Sequence, residues 1–160
     1  MTEITLGIQV RDIVTGFTGI TIGKALYING CIQYLVAPKV GEDNKKEAGC
    51  YYDHQRLEIV GENVAPNIVS VPMPEFTLGI KAKDISSGVV GILTSRQEFF
   101  GGLVEYHLQP SLDKDGKAVE GSWVLASWLE VVTPEPLKMP SSNTGGPSAE
   151  VRQSVGKIIA

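Results

Sequence analysis

The first half of this 160-residue chain is written again in its second half, and that repeat limits what it can fold into. Thr5-Leu6-Gly7-Ile8 returns as Thr77-Leu78-Gly79-Ile80. The same offset, without a gap, pairs Asp12-Ile13 with Asp84-Ile85, Gly16 with Gly88, and Gly19-Ile20 with Gly91-Ile92. It carries on through Gly30 and Gly102, Tyr34 and Tyr106, Pro38 and Pro110, Gly49 and Gly121, and Leu57-Glu58 and Leu129-Glu130. Chance does not hold one register across several turns, so the chain is a tandem duplication. Each copy has about 55–60 residues, near the lower limit for a domain that folds alone.

Glycine and proline cut each copy into short pieces, 18 and 9 of them in the chain, which argues against a helical bundle. In the first copy a β-branched, half-alternating run covers 8–13, and Thr15-Gly16 marks a turn. A long Thr/Ile/Gly strand follows over 17–26. Asn29-Gly30 is the strongest hairpin signal in the chain, and the next strand runs from Cys31 to a stop at Pro38. A polar loop spans 41–47, a short aromatic strand holds Tyr51, and Leu57 opens the closing strand. The second copy repeats the scheme, with Gly101-Gly102 at the tight turn and a loop over 113–117.

Five short strands in so few residues predict an all-β fold in which each copy closes into a small twisted barrel without edge strands. Alternation assigns Ile8, Val10, Ile20, Ile22, Ile32, Tyr34, Val36, Leu57 and Ile59 to the first core. It assigns Ile80, Ala82, Ile92, Val104, Tyr106, Leu108, Leu129 and Val131 to the second. The inward or outward setting of Tyr34 and Tyr106 depends on strand register and stays open at this point.

The run Leu6-Gly7-Ile8-Gln9-Val10-Arg11-Asp12 followed by Thr15-Gly16-Phe17-Thr18-Gly19-Ile20 resembles the opening of SH3-like and KOW-type small barrels. The longer string through Tyr27-Ile28-Asn29-Gly30-Cys31-Ile32-Gln33-Tyr34 resembles a family of short tailed-phage proteins that carries no activity to transfer. The likeness is weaker in the second copy, where Gly101 and Leu103 replace Asn29 and Cys31. It implies two tandem SH3-like small β-barrels with an extended C-terminal arm. The expected bounds are a first barrel over 1–61, a Pro-rich linker over 62–74, a second barrel over 75–133, and a tether with a docking arm over 134–160.

No catalytic, cofactor-binding or metal-binding constellation stands out. His54 and His107 do not occupy equivalent positions and read as structural histidines. Cys31 and Cys50 fit no zinc or redox spacing; they read as reduced, buried thiols, with a disulfide as the alternative. The loop Asp113-Lys114-Asp115-Gly116-Lys117 lacks the ligand spacing of a calcium site. Asp12 and Asp84 recur in both copies, as turn caps would and a single catalytic carboxylate would not. A net charge of −4 and the lack of a basic stripe count against nucleic-acid binding. No run approaches the roughly 18 apolar residues of a membrane span, and the N-terminus has no signal-peptide pattern.

After a Pro/Ser/Gly stretch, the last residues place Val151, Val155, Ile158 and Ile159 on one face of a short helix. Tethered apolar segments of this kind dock on neighbouring subunits. Together with the phage resemblance, this leads to a non-enzymatic virion accessory protein, made in the host cytoplasm. It would decorate or cement a capsid, or sit at a head–tail or tail surface. Its partners would be protein subunits, contacted in many copies on a symmetric lattice, with no cofactor and no membrane. The expected contacts are the aromatics Tyr27, Tyr51, Phe99, Phe100 and Trp123, with the arm residues Val151, Val155, Ile158 and Ile159. The alternatives are a phage early protein in the host cytoplasm that binds a small signalling molecule or host factor, and a KOW-like module for RNA or the transcription machinery.

Overall fold

Turn chemistry and β-branched runs set the strands of the computed structural model, which describes residues 3–65, 69 and 71–138. The first copy forms β1 (Ile8–Asp12), β2 (Thr18–Tyr27), β3 (Ile32–Ala37), β4 (Cys50–Asp53) and β5 (Leu57–Asn63). The second forms β6 (Lys81–Asp84), β7 (Val90–Phe99), β8 (Val104–Pro110), β9 (Ser122–Leu125) and β10 (Leu129–Thr133). A single 3-10 turn precedes each closing strand, at His54–Arg56 and Ala126–Trp128. The described residues are all-β, with every strand pairing antiparallel.

Both copies use one plan. The strand order is β5-β1-β2-β3-β4 in the first and β10-β6-β7-β8-β9 in the second. Registers match pair for pair: Val10 faces Gly19 as Ala82 faces Gly91, and Tyr34 faces Tyr52 as Tyr106 faces Val124. At Asn29-Gly30 the backbone takes φ +85° at Gly30, whose N–H donates to the Tyr27 carbonyl at 2.8 Å. Close approach fixes Gly19 and Gly91, where a Cβ would collide with the carbonyls of Ala37 and Gln109.

The long second strand of each copy carries a bulge, at Ile22 in β2 and Thr94 in β7. A bulge flips side-chain parity along a strand. Thr21 and Leu93 therefore face the cores before it, and Lys24 and Arg96 share the face of Tyr34 and Tyr106 after it. This corrects the expected cores. Ile20, Ile22 and Ile92 are only partly buried, and Ile59 and Val131 are exposed. Val10, Tyr34 and Val36 are buried with Ile4 in the first core. Ile80, Ala82, Val104, Tyr106, Leu108 and Leu129 are buried with Leu93, Val124 and Ala126 in the second. Tyr34 and Tyr106 both point inward. The Tyr34 hydroxyl donates to the Ile4 carbonyl at 2.8 Å, and the Tyr106 hydroxyl accepts the Phe76 N–H at 2.9 Å.

The sheet does not close. β4 pairs only with β3, and β5 only with β1, so the expected edge-free barrel is replaced by an open sheet. A single 3-10 turn separates β4 from β5, and no ladder joins those two strands. The free halves of the long strands meet instead. β2 pairs with β7, joining both copies into one ten-stranded sheet.

That seam has pseudo-twofold symmetry. Gly23 pairs with Phe99, Ala25 with Gln97, and Tyr27 with Ser95. Ser95 is the repeat equivalent of Gly23 and Phe99 that of Tyr27, so the axis passes through the Ala25–Gln97 pair. The bulge carbonyls extend the symmetry: Ile28 N–H donates to Thr94 and Phe100 N–H donates to Ile22, both at 2.8 Å. Phe100 lies against Gly7 as Ile28 lies against Gly79.

Candidate functional site

The seam creates a surface that neither copy has alone. Strands β4-β3-β2-β7-β8-β9 form one continuous run, and residues directly opposite each other across a ladder share a face. One face, with Tyr34, Tyr52, Tyr106 and Val124, covers the two cores. Register places Tyr27, Gln33, Leu35, Tyr51 and Asp53 from the first copy on the other face. It adds Ser95, Gln97, Phe99, Glu105, His107 and Trp123 from the second. The middle of this outer face is floored by Gly23 and Ala25, leaving room for the larger rings to lie across it.

Its polar groups are organised by two relays of one design. The Tyr27 hydroxyl donates to Gln33 Oε1 at 3.1 Å, and Gln33 Nε2 donates to Asp53 Oδ1 at 2.9 Å. The Tyr51 hydroxyl reaches across the seam to Gln97 Oε1 at 3.1 Å, and Gln97 Nε2 donates to Glu105 Oε2 at 3.2 Å. A carboxylate only accepts, so each amide turns its NH2 to the acid and its oxygen to the phenol. Burial, with Tyr27 and Glu105 nearby, pushes the Tyr51 phenol above its ordinary value, so at neutral pH it remains a donor. His107 Nδ1 lies 3.0 Å from Thr94 Oγ1, and its ring meets Trp123 edge-on at 5.3 Å.

Tyr27, Tyr51, Phe99 and Trp123 are thus brought onto one face, with Tyr51 and Trp123 still 43% and 40% exposed. Phe100 is not among them; it turns to the seam beside Gly7. Val151, Val155, Ile158 and Ile159 lie outside the described residues. Sequence reasoning passed over Leu35 and the Tyr–Gln–carboxylate relays, and it read His107 only as a structural histidine. Their signal was parity with Tyr27 and Phe99 along paired strands, readable only once register is known.

Other candidates resolve into structural roles. The Asp12 carboxylate is buried and accepts Arg56 Nε at 3.0 Å, Arg56 Nη2 at 2.7 Å and the Thr15 N–H at 3.0 Å. The Arg56 guanidinium holds it well below the usual carboxylate range. Asp84 is lowered through the Ser87 and Ser86 hydroxyls, since Trp128 stands where Arg56 is in the first copy. Both carboxylates cap their turns, as expected. The cysteines are unbridged, and Cys50 is exposed rather than buried. Among the described residues no group of three metal-ligating side chains gathers, and no helix is long and apolar enough to cross a membrane.

No family model, no curated protein and no solved structure matches the chain.

Proposed function

We propose that the protein is a non-enzymatic interaction module: two units of SH3-like small-barrel plan, each left open between β4 and β5 or β9 and β10, fused through a shared sheet and acting as an accessory protein of a tailed-phage particle. It grips neighbouring protein subunits with the outer face of the β4-β3-β2-β7-β8-β9 run, either decorating a capsid or lying at a head–tail or tail surface. The SH3-like plan is supported by the strand order common to both copies, the long second strand and the 3-10 turn before each closing strand. The observation that carries the functional reading is the gathering of Tyr27, Tyr51, Phe99 and Trp123 on one face with no Lys or Arg among its strand residues. Aromatic rings with a partly exposed apolar body and a polar handle dominate protein interfaces. Asp53 and Glu105 on the same face oppose an RNA backbone.

The test is quantitative mass spectrometry of purified particles from the phage that carries this chain. Lattice-bound protein is present in many copies per particle, and the Tyr51→Ala/Trp123→Ala variant falls at least tenfold in occupancy, since two interface aromatics are worth about 2–4 kcal/mol. Absence of the parent chain from particles, or normal loading of the variant, overturns the reading. A salt-steep affinity for RNA in the isolated protein would move the assignment to the nucleic-acid alternative.

A further inference from the structure

We propose that a cleft at one end of the β2–β7 seam binds a small zwitterion with an apolar body, the chemistry of a free apolar amino acid. The site goes beyond the contact reading and does not depend on it, because Arg96 and Leu26 lie on the opposite face of the sheet from the gathered aromatics.

Both copies build the cleft. The end of β2 and the hairpin after it supply Leu26 and Ile28, and the segment ahead of β6 supplies Glu75, Phe76 and Leu78. Arg96 of β7 completes the lining. The volume is about 470 Å³, within the roughly 300–1,000 Å³ of small-ligand sites. Leu26, Ile28, Phe76 and Leu78 are each only partly buried, so the walls keep apolar surface for a ligand to cover. Leu26 pairs with Arg96 across the seam and Arg96 with Tyr106 in β8, which sets both side chains on the core-side face.

The repeat supplies an internal comparison. Glu3, Ile4, Leu6 and Lys24 are the equivalents of Glu75, Phe76, Leu78 and Arg96, and they line a smaller cleft of about 300 Å³ with Phe100 in place of Ile28. There the acid and the cation meet, with Lys24 Nζ 3.4 Å from Glu3 Oε1. In the larger cleft they do not. Arg96 Nη1 donates to Glu98 Oε2 at 3.1 Å, and Glu75 makes no ion pair among the described residues. Arg96 Nε is buried with no hydrogen-bond partner among the described residues, a costly state for a donor.

One cation and one acid held apart in an apolar cleft match a ligand that carries both charges. A carboxylate takes the Nε–Nη2 edge as the guanidinium turns toward the cleft, in two parallel bonds that give Nε its acceptor. The ligand's ammonium pairs with Glu75. A plain anion leaves Glu75 unmatched and a plain cation meets Arg96, so single charges are selected against. Lys24 in the smaller cleft has no such fork to offer.

The test is an NMR titration of the isotope-labelled full-length chain with L-phenylalanine and with L-leucine into the millimolar range. With at least one of them, the backbone signals of Leu26, Ile28, Phe76 and Leu78 and the Nε–Hε signal of Arg96 shift and saturate together. Arg96→Lys and Glu75→Gln each weaken that binding at least tenfold, and Glu3→Gln leaves it unchanged. Glu75 is exposed, so Glu75→Gln keeps the parent melting temperature and reads binding alone. Phenylalaninol, which lacks the carboxylate, and hydrocinnamate, which lacks the ammonium, bind at least tenfold more weakly than phenylalanine. Absence of saturable shifts with both amino acids overturns the proposal. So does hydrocinnamate that binds as tightly as phenylalanine, or Glu75→Gln that binds like the parent.

Discussion

At the scale of single residues, the two copies hold one buried carboxylate by different means. Asp12 is fully buried and fastened by the Arg56 guanidinium. Asp84 relies on the neighbouring Ser86 and Ser87 hydroxyls, while Trp128 is left half-exposed at the tip of its copy. Both folded values lie below the ordinary carboxylate range, Asp12 the further of the two, because only it faces a full positive charge. The linkage then has a definite sign. A depressed carboxylate stabilises the fold above its unfolded value, near 3.8 here, and that contribution is lost as pH falls through the folded value. In thermal melts taken from pH 7 to pH 2, the parent protein should lose stability steadily below about pH 4. Asp12→Asn should begin less stable at pH 7 and show a shallower acid slope. A slope equal to the parent's would mean that the Asp12–Arg56 pair does not contribute to the acid transition. The recurrence of Asp before each turn was legible in the sequence, but its partner was not. Arg56 is far away in sequence, in the turn before β5, which pairs with β1 at Asp12–Leu57, and it has no counterpart in the second copy, so the repeat itself gave no hint of it.

At the scale of elements, the strands were legible because turn residues and β-branched runs act locally. The inward and outward sets were not legible to the same degree, because one alternation does not hold through a bulge. A single alternation carried through Ile22 and Thr94 fits only one side of each bulge: the phase that selected Ile20, Ile22 and Ile92 matches Lys24 and Arg96 beyond it and misses Thr21 and Leu93 before it. Closure of the sheet was not legible either, since a local pattern does not say which strand edges find each other. The bend ahead of each bulge depends on a tight crossing. At Gly91 a Cβ would collide with the Gln109 carbonyl, which belongs to the ladder and cannot swing away. Gly91→Ala should therefore cost about 2 kcal/mol and lower the melting temperature by about 4–8 °C. Gly41→Ala is the control, in a loop where the nearest atom is the flexible Asp43 carboxylate, and should stay within about 0.5 kcal/mol of the parent. Equal melting of the two variants would show that the crossing has slack to give.

At the scale of the whole molecule, the duplicated sequence behaves as a dimer tied into one chain. The β2–β7 ladder is isologous: the same strand of each copy pairs about an axis at Ala25–Gln97, as in a twofold homodimer interface. No repeat analysis could reveal this, because the pairing edge looks like any other strand until both halves are folded. The candidate site inherits the same blindness. Its aromatics were visible one by one, but their convergence follows from the axis, which carries Tyr27 and Tyr51 onto the equivalents Phe99 and Trp123. If the seam is a true interface, the covalent connector is dispensable once the protein has folded. A protease site placed beside Val69, which is 88% exposed, permits the test. After cleavage the parent should still elute as one particle of full mass. Ile28→Asp/Phe100→Asp places a carboxylate at each end of the seam, against Gly79 and Gly7, where an unpaired charge costs several kcal/mol to desolvate. Its cleaved halves should separate on size exclusion while each retains its strand signal in circular dichroism. Were the cleaved parent to fall apart, the ladder would be a weak contact imposed by the connector, and the shared outer face would exist only as long as the chain is whole.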